Sequence, residues 1–117
     1  MPMQTFCALG HVLFSPECNT AAMGDAALAR VGRRRRVALT VPVFSGVARV
    51  VSRSDLIALV PAQLASALAP GFGLRVFLPP VEIAPAQIVA IWHRLADRAP
   101  LAAWMRGRVF GLLRRLD

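Results

Sequence analysis

Between residues 24 and 61 the chain alternates between two kinds of segment, GDAALARVGRRRRVALTVPVFSGVARVVSRSDLIALVP, and this alternation limits the folds open to it. Asp25 is placed to cap a short helix that ends at Gly32. Residues 36–42 (RVALTVP) read as a strand whose centre is apolar almost without a break. Ser45 is placed to open a second helix, and residues 55–61 (DLIALVP) read as a second buried strand. Strands that are apolar on both faces need cover on both, and intervening helices supply it. The pattern predicts an α/β fold: a mostly parallel, Rossmann-like sheet with flanking helices. Such sheets bind ligands outside the carboxyl ends of their strands, so the fold class already points to a binding module.

The flanks extend the pattern. Residues 8–15 (ALGHVLFS) form an apolar run of strand length that stops at Pro16, and residues 17–23 read as a polar loop of the kind that covers a site. The first helix is expected to bury Leu28 and Val31, and the second shows Val47, Val50 and Val51 on one face. Pro61 suits the first turn of a third helix carrying Leu64 and Leu68, which Pro70 and Gly71 are expected to stop. Residues 74–78 read as another short strand, and Pro79 with Pro80 as a stiff junction. Beyond it residues 88–93 (IVAIWH) are a strand candidate. Asp97 then sits where a helix cap is expected, with Pro100 in the first turns. The last helix carries Leu101, Trp104, Met105, Val109, Leu112, Leu113 and Leu116 at spacings of three and four, leaving Arg106, Arg108, Arg114 and Arg115 mostly outside. Gly107 and Gly111 each cost about 1 kcal/mol of helix propensity, so packing must hold that helix.

Composition narrows the reading. With 117 residues and 56% hydrophobic side chains the chain has one domain's length and enough apolar surface for a core. Its net charge is +8, and all fourteen basic residues are arginine. Residues 56–74 are uncharged, but Pro61, Pro70, Gly71 and Gly73 interrupt them, and a spanning helix needs about 20 apolar residues in one run. No signal peptide is expected, because no basic region precedes an apolar run and His11 interrupts the first one. Cys7 and Cys18 are expected as reduced thiols, which places the chain in the cytoplasm.

Four segments in order carry a family resemblance: HVLFSP, GDAALARVGRRRRVALTVPVF, SDLIALVPAQLA and GLRVFLPPVEIAPAQIVAIWHRLADRAPLAAWMR. Together they resemble the C-terminal half of the effector-binding domain of LysR-type transcriptional regulators. The subgroup most similar ends in a Trp-His pair, here Trp92 and His93, followed by a Pro-x-x-x-Trp-Leu-Arg-like helix, here Pro100, Trp104, Met105 and Arg106, with Met105 in place of Leu. The resemblance implies a two-lobed fold similar to the type 2 periplasmic binding proteins, with a small effector in the cleft between lobes. It implies that residues 1–80 form the second lobe and that residues 81–117 are a return strand and C-terminal helix belonging to the first lobe. The two-lobe domain is then incomplete. The family's winged helix-turn-helix has no candidate before residue 24, so a truncated regulator is expected, touching DNA only through the missing domain. The expected partners are an aromatic or anionic small-molecule effector and further copies of the chain; no membrane partner is expected.

Each candidate site has a functional and a plainer reading. The run Arg33 to Arg36 is a phosphate-binding patch or a solvated turn; its strand- and helix-forming flanks favour the turn. Cys7, His11 and Cys18 offer three donors where a structural zinc takes four, so no metal is expected. His93 with Ser15 or Ser45 lacks an orienting carboxylate, because Asp25, Asp55 and Asp97 read as caps or strand starts. Neither an enzyme nor a cofactor is therefore expected. The last helix suits either a membrane surface or a core. The effector-site candidates are strand ends: Ser15 and Pro16; Pro42, Val43, Phe44 and Ser45; and Leu59, Val60 and Pro61. Backbone N–H groups and the Ser45 hydroxyl would meet a carboxylate, and Phe44 would form an apolar wall. The alternative is that these are ordinary strand-to-helix turns. The rival function is a small basic module that binds nucleic acid or an anionic membrane surface.

Overall fold

The computed structural model describes residues 1–16, 23–85 and 89–115. Of the polar loop expected at 17–23, residues 17–22 lie outside the described residues, as do Ile88 and Leu116, and Cys18 with them; Met23 instead begins the next helix. The chain divides into two compact units, Met1–Pro85 and Ala86–Asp117.

The first unit runs α1 (Met3–Ala8), β1 (Gly10–Phe14), α2 (Met23–Arg30), β2 (Arg36–Val41), α3 (Phe44–Val51), β3 (Ile57–Ala58) and α4 (Ala62–Phe72). The three strands form one parallel sheet in the order β2-β1-β3. Gly10 pairs with Arg36 and Phe14 with Val41, while His11 and Val12 pair with Ile57 and Ala58. The α/β expectation holds.

Burial is less even than the apolar runs imply. β1 is the central strand and is buried, with Val12 1% and Leu13 4% exposed. β2 and β3 are edge strands. Half of β2 is exposed and the rest half-buried, and β3 is two half-buried residues rather than a run over 55–61. Residues 74–78 form no strand; Val76, Phe77 and Leu78 are exposed. An extended segment becomes a strand only when a neighbour takes its backbone hydrogen bonds, and none of the sheet's three strands pairs with it.

The helices start and stop a little away from the expected places. α2 ends at Arg30, and Gly32, with φ +67°, closes it: its N–H donates to Ala29 O, and the Arg33 N–H to Leu28 O. This is the 6→1, 5→2 closure that a left-handed residue permits. Val31 consequently lies in the turn and is exposed, whereas Leu28 is buried. Asp25 lies in the first turn of α2 and is not its cap. Pro61 is the N-cap of α4 and precedes its first turn, and α4 continues through Pro70 to Phe72 before Gly73 ends it. Proline costs a helix one N–H bond, a loss that two residues from the end is small. In α3 Val47 and Ala48 are buried and Val50 and Val51 half-buried, as its apolar stripe implies.

The second unit holds a short 3-10 turn (Arg94–Ala96) and α5 (Pro100–Leu113). Pro100 is the first helical residue and Ala99 the N-cap. Asp97 does not cap α5; its carboxylate accepts the Trp92 Nε1–H. Residues 89–93 carry no strand pairing among the described residues. α5 buries none of its residues, and Leu101, Trp104, Met105 and Leu112 are all more than half exposed. Its apolar residues are spread around the helix and form no single stripe, so the expected amphipathic division is absent. A helix that is apolar on several sides belongs in a larger core.

Candidate functional site

Parallel strands bring their carboxyl ends to one edge, and that edge gathers the nominated residues. Ser15 and Pro16 follow β1, Pro42 to Ser45 follow β2, and Leu59 to Pro61 follow β3. The order β2-β1-β3 reverses between β1 and β3: the chain leaves β1 for β2 on one side, then crosses to β3 on the other. Open α/β sheets bind ligands outside the strand ends at such a reversal.

The edge is well packed at its base. The Ser15 N–H donates to Val41 O at 3.0 Å, and Ser15 is 7% exposed. The Phe14 and Phe44 rings stack with centroids 3.7 Å apart and planes 16° apart. Phe44 is thus fixed on β1, half-buried, and Ser45 beside it is exposed. A Cβ at Gly46 would lie 2.7 Å from Val41 Cγ1, so a glycine there lets α3 start tight against the end of β2.

Both α3 and α4 begin at this edge with caps that contribute no side-chain bond. Val43 caps α3 and Pro61 caps α4. Ser45 therefore lies inside α3 and does not open it. Uncapped first turns leave backbone N–H groups without side-chain acceptors and present the positive end of the helix dipole. That combination accepts a carboxylate or phosphate oxygen.

A buried polar cluster lies on the face of the sheet away from Phe14. Arg35 Nε donates to Asp25 Oδ1 at 2.8 Å and Nη2 to Oδ2 at 3.0 Å. The Arg35 side chain is 1% exposed and that of Asp25 32%. The arginine run is thus no uniform solvated turn: Arg33, Arg34 and Arg36 are exposed while Arg35 is buried. His11, 0% exposed, meets Phe6 O through Nε2 at 2.8 Å and packs edge-on against the Phe6 ring. Burial lowers its pKa, against the Phe6 carbonyl, which raises it; Arg35 lowers it further and Asp25 opposes that. Among the described residues, His11 Nδ1 and Arg35 Nη1 are buried without hydrogen-bond partners. The period-two alternation of β2, read back by one residue, puts Arg35 on the same side as half-buried Val37 and would have disclosed its burial.

The other nominated groups have structural partners. His93 Nδ1 accepts the Leu95 N–H at 3.2 Å and so caps the 3-10 turn. Cys7 Sγ faces Met3 Sδ at 3.8 Å. Within the second unit, Ala90, Ile91, Trp92, Met105, Arg106, Val109 and Phe110 line a shallow cavity of about 200 Å³. Arg106 lies 4.7 Å from the Trp92 ring centroid and donates to Ala96 O and Asp97 O. No described helix is long and apolar enough to cross a membrane.

The LysR substrate binding domain family matches residues 2–111. The chain belongs to this family. It is 32% identical over 112 residues to the HTH-type transcriptional activator NahR of Pseudomonas putida, covering 96% of this chain and 37% of NahR. It is 29% identical to the HTH-type transcriptional regulator SyrM of Rhizobium meliloti, covering 92% of this chain and 33% of SyrM. The fold matches the crystal structure of the regulatory domain of MexT, a transcriptional activator in Pseudomonas aeruginosa, with a TM-score of 0.72 and 32% identity. That match covers 93% of this chain and 55% of the MexT regulatory domain. The chain therefore spans about a third of the curated regulators it matches, and this LysR-family portion corresponds to their substrate-binding part.

Proposed function

We propose that this LysR-type chain is the effector-sensing portion of a DNA-bound transcriptional regulator and carries no catalytic activity of its own. The site is the carboxyl edge of the sheet, with Ser15, Pro16, Pro42, Val43, Phe44, Ser45, Leu59, Val60 and Pro61. One observation carries the reading: two helix starts without side-chain caps converge on the strand ends beside a fixed aromatic ring. Backbone N–H groups suit a carboxylate, and the Phe14–Phe44 stack suits a flat apolar body. The effector class is an aromatic carboxylate.

The second unit completes a first lobe. Among the described residues, 89–93 have no strand partners and α5 is exposed on several sides, which is the condition of a strand and helix taken from a larger sheet. Residues 1–80 form the second lobe and residues 81–117 return to the first. The effector sits at the carboxyl edge and changes how an oligomer of the regulator is held on DNA in the cytoplasm.

The experiment is calorimetric titration with benzoate of a protein in which this chain is joined to the remaining part of a LysR regulatory domain. Phe44→Ala removes a wall of the site, and Ser45→Ala removes a hydrogen bond worth about 1 kcal/mol, more against a charged oxygen. Both weaken binding. Arg114→Ala, beyond the end of α5, does not. Equal affinity across the three variants places the cleft elsewhere.

A further inference from the structure

The opposite edge of the same sheet is also chemically distinctive. Parallel strands bring their starts together, and α2 and α3 end there. Arg30 closes α2, Arg33 and Arg34 follow it, Arg36 opens β2, and Arg53 lies between α3 and β3. All five are exposed, and among the described residues none is in an ion pair. Asp55 is the acid on the approach to β3.

Local structure does not account for this charge. The helix dipole favours Arg30 in the last turn of α2, but its effect fades within that turn. Arg35, the one member of the run with a structural task, points inward to Asp25. Arg33, Arg34 and Arg36 remain, displayed by the left-handed turn at Gly32. The row crosses three strands spaced about 4.8 Å apart, which is wider than one phosphate and suits a polyanion.

We propose that this amino edge, with Arg30, Arg33, Arg34, Arg36 and Arg53, is a contact to the phosphate backbone of duplex DNA, separate from any base-reading domain. Single-stranded nucleic acid is engaged by aromatic stacking, and the segments 30–36 and 52–56 contain no aromatic residue; membrane surfaces are engaged by a broad inserted apolar face, and Val31 is a single exposed apolar side chain among the arginines. A duplex needs only the charges. It carries one negative charge per about 1.7 Å of axis, and each neutralised phosphate releases counterions. The edge lies a strand length from the effector edge, about 17 Å for five residues, so the two ligands do not compete.

This contact rests on the reading that the chain works within a DNA-bound regulator. The test is fluorescence anisotropy of the full chain with two unrelated duplexes from about 50 to 300 mM salt. Both duplexes bind alike at low salt, with a log–log salt slope as steep as about −4.5 for five contacts at −0.9 each. The triple variant Arg33→Ala/Arg34→Ala/Arg36→Ala flattens the slope by two to three units, about one per arginine. Far-UV ellipticity shows that it remains folded. Arg108→Ala/Arg114→Ala/Arg115→Ala, in the second unit, leaves the slope unchanged. The proposal is overturned by absence of DNA binding at the lowest salt, by a triple variant that binds like the parent, by equal loss from the second-unit variant, or by anionic vesicles that outcompete DNA at equal phosphate. Benzoate titration separates this failure from failure of the sensor reading, because in the joined regulatory domain the triple variant retains effector binding.

Discussion

Removing Asp25 should cost far more than removing its partner Arg35. The two side chains share two hydrogen bonds at 2.8 and 3.0 Å, but their surroundings differ: Arg35 is 1% exposed and Asp25 32%. In Asp25→Ala a guanidinium stays under α2 with its carboxylate partner gone and with Nη1 already lacking an acceptor among the described residues. Breaking a buried pair from one side costs about 3–5 kcal/mol. The partial exposure of Asp25 brings the figure to the low end, about 3 kcal/mol, and loss of a first-turn acid from α2 adds about 0.5 kcal/mol. In Arg35→Met the cation goes, its volume is largely refilled, and Asp25 turns to the water it already meets, at a cost of about 1 kcal/mol. A domain of this size has roughly 5–10 kcal/mol in all. Urea unfolding followed by far-UV ellipticity, with a slope of about 1–1.5 kcal/mol/M, should show the midpoint falling by about 2.3–3.5 M for Asp25→Ala and by about 0.7–1 M for Arg35→Met. If Asp25→Ala is no more destabilising than Arg35→Met, the pair is not a buried-cation device and the reasoning is wrong.

His11 should make the first unit acid-sensitive. Its folded pKa lies below 6.5, so the unfolded chain binds the proton more readily; stability is full above that value and declines as pH falls below it, seen as a lower urea midpoint at pH 5 than at pH 7.5 and as a His11 titration by NMR that is displaced to lower pH on folding. Gly46→Ala forces Val41 aside and should destabilise by about 1–2 kcal/mol, whereas Gly107→Ala in α5 meets nothing within 4 Å and should stabilise by about 1 kcal/mol. Arg106→Met removes the cation from the Trp92 ring and two bonds to the 3-10 turn, so Trp92 emission should shift to longer wavelength, read against a Trp104→Phe background.

The alternation of helix and strand was legible because it is a local pattern that one parallel sheet satisfies. The strand ends were legible for the same reason: once parallel order is inferred, residues 15–16, 42–45 and 59–61 must share an edge. What escaped depends on who neighbours whom. The apolar runs at 36–42 and 55–61 look alike, yet both form edge strands, because β1 takes the centre. Residues 74–78 and 89–93 have strand composition but no paired neighbour among the described residues. Arg35 hides in a run of four identical residues that differ only in direction. Asp25 and Asp97 carry the chemistry of helix caps but are claimed by Arg35 and Trp92.

The central claim is that the carboxyl edge of the sheet is where an effector is sensed. Amide chemical-shift mapping of the chain during titration with benzoate tests it most directly. The account predicts shifts that move together at Ser15, Val43, Phe44, Ser45, Leu59 and Val60, with Arg33, Arg34 and Arg36 unmoved. Shifts confined to the arginine edge, or none at millimolar benzoate while aromatic carboxylates bind the joined regulatory domain, would contradict it.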